Sequence, residues 1–136
     1  MIIASGVDIV EIKKISRLIK KNSEQFIKRV FSDSEQKECL RKRFPEQHFA
    51  GKFASKEAVL KVLGTGLSEG IKWLDIVIAD NKKGQPHVLL YRRAKKTAEE
   101  LRIKKIFLSI SHTKEYAVAF AVAEGIQQNK SKKNTV

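Results

Sequence analysis

Tyr116-Ala117-Val118-Ala119-Phe120-Ala121-Val122-Ala123 alternates without exception between a larger side chain and alanine. Period-two alternation makes this stretch a β-strand with one bulky face and one small, flat face. A flat face of methyl groups invites close packing by a helix or by another subunit. One chain of 136 residues offers few elements to cover it. The expectation is therefore a closed ring of subunits rather than a monomer.

Working back from this strand, Ile106, Leu108 and Ile110 alternate up to Ser111-His112, and Leu74, Ile76 and Ile78 alternate before the turn Asn81-Lys82-Lys83-Gly84. A partner strand follows at about His87–Tyr91. Arg92–Leu101 carries Ala94, Ala98 and Leu101 at helical spacing. At the other end of the chain, residues 1–10 read as a strand broken by Gly6 and holding Asp8 within an apolar run.

The period becomes helical at Glu11, with Ile12, Ile15, Ile19 and Phe26 on one face. Lys14, Arg17, Lys21 and Lys28 repeat that spacing two positions later, about 200° round the helix. A single helix to Arg29 would bury the first face and present the second as a cationic ridge. Ser32-Asp33-Ser34-Glu35 has the form of a capping box, which starts a second helix reaching about Phe44. Pro45 opens a third and Gly64 closes it. Within the third, Ala50, Ala54 and Ala58 form a column that lets a neighbour approach closely. Phe53, Glu57 and Lys61 form another. Residues 1–126 make one domain, and 127–136, with Lys130, Lys132 and Lys133, form a basic tail.

The chain holds 28 Lys+Arg against 15 Asp+Glu, a net charge of +13. That balance admits nucleic acid, an anionic membrane surface, or an acidic protein or phosphorylated ligand as partner. One cysteine, Cys39, excludes an intramolecular disulfide framework and fits a reducing cytoplasm. No signal-peptide pattern and no membrane-spanning run is present, so a cytoplasmic protein is expected, without membrane insertion. Walker, G-x-G-x-x-G, H-E-x-x-H and G-x-S-x-G motifs are all missing, and Cys39 has no designated base beside it.

Three places could carry chemistry. Asp8, poorly placed for solvation, needs a cation or a metal; a salt bridge or a water-facing edge position would satisfy it equally. Glu57 reads either as half of a surface pair with Lys61 or as a second carboxylate converging with Asp8. Such a pair suits Mg²⁺, which takes one or two protein carboxylates and leaves its other positions to water and phosphate. Lys61 would face the same phosphates. Ser109-Ile110-Ser111-His112-Thr113 ends a strand in hydroxyls and an imidazole that could bind phosphate or adenine, or satisfy turn backbone. His48 and His87 read as structural or surface residues.

Gly6-Val7-Asp8-Ile9-Val10-Glu11-Ile12, Phe53-Ala54-Ser55-Lys56-Glu57-Ala58 with Lys61 and Gly64-Thr65-Gly66, and Ser109-Ile110-Ser111-His112-Thr113-Lys114-Glu115-Tyr116-Ala117 occur in that order. Together they resemble the signatures of the bacterial holo-acyl-carrier-protein synthases, small 4′-phosphopantetheinyl transferases, over about residues 1–124. The resemblance implies an α/β (α+β) fold, a mostly antiparallel sheet packed with helices, assembled as a homotrimer with active sites between subunits. It implies Mg²⁺-dependent transfer of 4′-phosphopantetheine from coenzyme A to a serine of acyl carrier protein, releasing adenosine 3′,5′-bisphosphate, in fatty acid biosynthesis.

Residue by residue, the resemblance makes Asp8 and Glu57 the metal ligands and, with Lys61, the catalytic group. It places Lys56, Lys61, Gly64, Gly66, Pro86, Ser111, His112 and Thr113 at coenzyme A. Gly84-Gln85-Pro86 is similar to the family's turn beside the adenine, with Gln85 where lysine is common. Glu57, acting through water, is the expected base. The nucleophile belongs to the carrier, which explains the lack of an activated serine or cysteine here. The acidic carrier suits the Lys14, Arg17, Lys21 and Lys28 ridge. The alternative, a small basic nucleic-acid-binding protein, has the charge but no aromatic stacking platform.

Overall fold

A computed structural model describes residues 1–126. The elements run β1 (Ile2–Glu11), α1 (Ile12–Lys21), α2 (Ser23–Val30), α3 (Asp33–Leu40), α4 (Pro45–Leu63), a 3-10 turn (Trp73–Asp75), β2 (Ile76–Asp80), β3 (Pro86–Leu90), α5 (Arg92–Glu100), β4 (Ile103–His112) and β5 (Tyr116–Gly125). Strands β1, β5 and β4 form one antiparallel sheet with β5 in the centre, and β2 pairs with β3 in a separate hairpin. The fold is α+β with antiparallel sheets, as expected. The basic tail at 127–136 lies outside the described residues.

Helix α4 organises the rest. Pro45 at its first turn has no N–H to leave unsatisfied, and Gly64, at φ 79°, ends it in the left-handed region. Its Ala54 and Ala58 lie in one buried cluster with Ala119, Ala121 and Ala123 of β5 and Ile76 and Ile78 of β2. Gly6 of β1 meets the Ala58 carbonyl, so strand and helix backbones run in contact. The alanine face is not what would call for a ring. Ala117, Ala119, Ala121 and Ala123 are fully buried within one chain, because α4 itself covers them. It is the bulky face that lacks a cover: Val7 and Ile9 of β1, Tyr116 and Phe120 of β5 and Phe107 of β4 are exposed, Ile9 at 62%.

The single helix expected over residues 11–29 is two. Asn22 (φ −136°, ψ 49°) stops α1, and its carbonyl then accepts the N–H of Phe26 at 2.8 Å, starting α2. Asn has low helix propensity, and here its backbone alone makes the break. The redirected α2 sets Phe26 edge-on to Phe31 at 6.1 Å and beside Phe53 at 6.2 Å. Lys14, Arg17 and Lys21 remain exposed on α1. Lys28 rides on α2, off that ridge, beside Ser32 and Tyr91.

Helix α3 begins with the expected capping box at Ser32 and Glu35 but stops at Leu40 rather than Phe44. Lys42 closes a tight turn onto Cys39, and Pro45 pushes Phe44 out of the helical region (φ −124°, ψ 81°). Glu35 ties three elements together. Its Oε1 accepts from the Ser32 N–H at 2.9 Å and from Lys56 Nζ at 2.8 Å, and its Oε2 accepts from the Ile78 N–H at 2.9 Å.

Candidate active site

Along β1 the residues alternate between the α4 side of the sheet and the open side. Asp8 pairs with buried Ala119, so its carboxylate lies on the α4 side. There it meets the Glu57–Lys61 column. Lys61 Nζ donates to the Val7 carbonyl at 2.7 Å and stands 3.4 Å from Asp8 Oδ1. The Glu57 carboxyl is held above its usual range, first by partial burial and then by the Asp8 carboxylate, with Lys61 opposing. Two half-buried carboxylates and one lysine thus share a small space, and the like charges strain one another.

The site opens into a cavity of about 520 Å³ lined by Glu57, Leu60, Lys61, Gly64, Gly66 and Leu67. Gly64 and Gly66 (φ 57°) both sit in the left-handed region with open space beside them. Bare backbone there can approach a phosphate closely. Among the described residues no cluster of three metal-ligating side chains exists. The two carboxylates fit a hard cation that keeps most of its positions for water and phosphate, and they do not fit an all-protein cage.

A second cluster forms at the other end of α4. His48, in the first turns of the helix, lies edge-on to His112 at 6.3 Å. Burial, the Lys42 cation and His112 all lower the pKa of His48. Nearby, Arg41, Lys42 and Lys82 line a cavity of about 290 Å³ together with Glu38, Asp80, Asn81 and Gly84, so cations and carboxylates share it. The sequence marks His48 only as a structural or surface residue; no spacing links it to His112, and only the packing of α4 across β4 does. His48 and Glu57 are nine residues apart on α4, about 13 Å along the axis. Within one chain the two clusters stay separate.

The other residues expected at coenzyme A differ in burial and partners. Lys56 is fully buried, and its Nζ donates to the Val30 carbonyl, to Glu35 and to the Trp73 carbonyl. Burial lowers its pKa while Glu35 supports the charge. It is a structural ion pair with no route to a ligand. Ser111 pairs with Val118 on the open face, the opposite side of the sheet from His112. Thr113 Oγ1 accepts from the Glu115 and Tyr116 N–H groups at 3.2 and 3.0 Å, organising the β4–β5 turn. Pro86 begins β3 opposite Asp80, two residues after Gly84. Cys39 is buried, its thiol pushed up to about 12, and so inert as a nucleophile.

The chain as a whole is similar to known proteins. A family model described as 4′-phosphopantetheinyl transferase superfamily matches residues 4–121. The holo-acyl-carrier-protein synthase of Protochlamydia amoebophila is 44% identical over 122 residues, spanning 90% of this chain and 98% of that protein. The chain belongs to the holo-acyl-carrier-protein synthase family of phosphopantetheinyl transferases. Solved structures of the family agree in fold. The synthase of Neisseria meningitidis superimposes with a TM-score of 0.83 at 35% identity, covering 91% of this chain and 99% of that one. That of Helicobacter pylori, in complex with coenzyme A, gives 0.79 at 33% identity, covering 89% and 100%. Among the described residues of this transferase, no helix is long and apolar enough to cross a membrane.

Proposed function

We propose that residues 1–126 form one catalytic domain that transfers 4′-phosphopantetheine from coenzyme A to a serine of acyl carrier protein. The product nucleotide is adenosine 3′,5′-bisphosphate, and the holo-carrier serves fatty acid synthesis in the cytoplasm. The observation that carries this reading is the Asp8–Glu57–Lys61 cluster beside the Gly64–Gly66 backbone. Asp8 and Glu57 would hold a Mg²⁺ ion, which supplies neutralising charge to the pyrophosphate when bound. Lys61 stands ready to exchange its Val7 and Asp8 contacts for a phosphate oxygen. Glu57, acting through a water, would accept the serine proton as the hydroxyl attacks the β-phosphorus. The bond from that phosphorus to the bridging oxygen then breaks, and the bisphosphate leaves.

The His112–His48 end is suited to the nucleotide, and its separation from Glu57 supports a site shared between copies. The open apolar sheet face, with Ile9, Phe107 and Phe120, is the surface on which a homotrimer would close. On α1, exposed Lys14, Arg17 and Lys21 are suited to guide the acidic carrier.

The test is direct. Apo-carrier incubated with coenzyme A, enzyme and Mg²⁺ should gain the mass of phosphopantetheine, and a chelator should stop the reaction. A carrier unchanged in mass under saturating conditions would refute the assignment.

A further inference from the structure

The start of β1, the end of β5 and the turn between α5 and β4 meet at one end of the three-stranded sheet. Ile2 pairs with Glu124 and Ile103 with Gly125. The Gly125 N–H donates to the Met1 carbonyl at 2.9 Å, and the Ile126 N–H to the Arg102 carbonyl at 3.1 Å. Four large apolar side chains are left in the open there: Met1, Ile2 at 71% exposure, Leu101 and Ile126. Arg102 and Lys104 flank them, both exposed, and neither joins an ion pair among the described residues. The acids nearby are matched by lysines. Glu124 lies opposite Lys105 across the strands, and Glu99 and Glu100 each follow a lysine by four residues on α5. The segment 127–136 continues from Ile126, with Lys130, Lys132 and Lys133 and no Asp or Glu. It lies beyond the family match, which ends at residue 121.

We infer that this end of the molecule docks on an anionic lipid surface, holding the protein against a membrane without crossing it. Exposed aliphatic side chains are unfavourable in water and favourable at the boundary between headgroups and acyl chains. Lysines and arginines around them add attraction to the phosphates of the headgroups. Stable adsorption takes both kinds of signal, and both are present at this one end. Nucleic acid would also meet the cations, but its bases stack on aromatic side chains, and the four exposed here are aliphatic. A second copy of the chain would bring a second set of like charges to the contact. The proposed catalytic cluster stays clear of the membrane, since Asp8 is six residues along β1 from Ile2, about 20 Å. Helix α1 begins at the far end of the same strand, so the ridge left to the carrier is a separate surface.

The test is sedimentation of the full chain with vesicles of phosphatidylcholine, alone or with about a quarter phosphatidylglycerol. The protein should bind the mixed vesicles and not the neutral ones, and salt should release it. Ile2→Ser/Ile126→Ser and, separately, Lys130→Gln/Lys132→Gln/Lys133→Gln should each weaken binding about tenfold or more. Lys14→Glu/Arg17→Glu/Lys21→Glu takes more positive charge from the chain, yet should weaken binding less than either, because the ridge lies at the other end of β1. Carrier modification without vesicles should be unchanged in the first two variants. Equal binding to neutral vesicles, or a ridge variant that loses as much as the others, would overturn the proposal. So would an Ile2→Ser/Ile126→Ser protein of smaller mass by light scattering, which would make this end a contact between copies. An oligonucleotide bound more tightly than the mixed vesicles at equal phosphate would overturn it in favour of nucleic acid. All of these outcomes leave the transferase reading standing.

Discussion

Gly6 lies so close to the carbonyl oxygen of Ala58 that a β-carbon at position 6 would overlap it. The same strand carries Asp8, and the same helix carries Glu57 and Lys61. The distance between strand and helix that glycine allows is therefore also the distance between the two halves of the proposed catalytic cluster. Gly6→Ala should cost about 1–3 kcal/mol from overpacking, measured by urea denaturation. It should also lower turnover in the protein that remains folded, since the backbone must shift beneath Asp8. An alanine variant with wild-type stability and kcat would contradict this coupling.

The partial burial of Glu57, with the Asp8 carboxylate beside it, gives the ligand-free protein a pH signature. A folded-state pKa above the unfolded value means the native state holds the proton more tightly than the unfolded chain does. The resulting stability is full below the unfolded pKa of glutamate and is lost as pH rises through the raised native value. Above that window the ionised pair is a burden. Glu57→Gln should therefore raise the melting temperature of the apo-protein at pH 7 and flatten this part of its pH dependence, while abolishing most transfer. Calorimetric scans from pH 4 to 8 on both proteins provide the check.

Lys56 and Glu35 make the opposite case, a buried pair whose value is structural. Removing the lysine alone leaves an uncompensated carboxylate among α3, α4 and β2. Lys56→Met should cost about 3–5 kcal/mol, and Lys56→Met with Glu35→Leu should cost less than the two single losses added. The coenzyme A KM of whatever enzyme remains folded should be unchanged, because Lys56 has no path to the nucleotide.

Much of this was legible in the sequence, and the failures share a cause. The strands at β1 and β5, the Ser32–Glu35 capping box and the limits of α4 follow from local rules of period, capping and proline chemistry. The break at Asn22 does not, because Ile12, Ile15, Ile19 and Phe26 keep a helical spacing straight across it. Whether Lys56 faces a ligand or the core depends on Glu35, twenty-one residues away. Likewise, the pattern of Ala117 to Ala123 marks a face for close packing without saying whose helix covers it. Properties carried by one element read directly; properties carried by two elements in contact required the fold.

Moving Lys28 off the ridge sharpens the carrier prediction. Lys14, Arg17 and Lys21 share α1 and are exposed, so their charge can be reversed without disturbing Ile12 and Ile15. A Lys14→Glu/Arg17→Glu/Lys21→Glu variant should raise the KM for acyl carrier protein about tenfold or more and leave that for coenzyme A nearly unchanged. Salt should erode the difference, since exposed charges are screened over about 8–10 Å. Lys28→Glu alone should have little effect on either substrate. Steady-state kinetics at two ionic strengths would expose the opposite pattern.

The separation of Glu57 from His112 makes shared active sites testable without a structure of the assembly. Suppose each site takes its carboxylate cluster from one copy and its His112 end from the next. Glu57→Gln and His112→Ala would each inactivate a homogeneous ring, by different halves of the site. Unfolding the two variants together and refolding them in equal amounts would place an intact Glu57 opposite an intact His112 at some interfaces. With random mixing in a closed ring, about a quarter of the sites would have both, and about a quarter of wild-type activity should return. Mixing without unfolding should restore less if exchange of subunits is slow. The open sheet face supplies the control: Phe120→Glu puts a charge into the surface proposed to close the ring. It should yield monomers by light scattering, with α4 still covering Ala119 and Ala121, and its presence in both mixing partners should abolish the recovery. A refolded mixture as inactive as its parents, while refolded wild type regains full activity, would mean that each chain carries its own complete site.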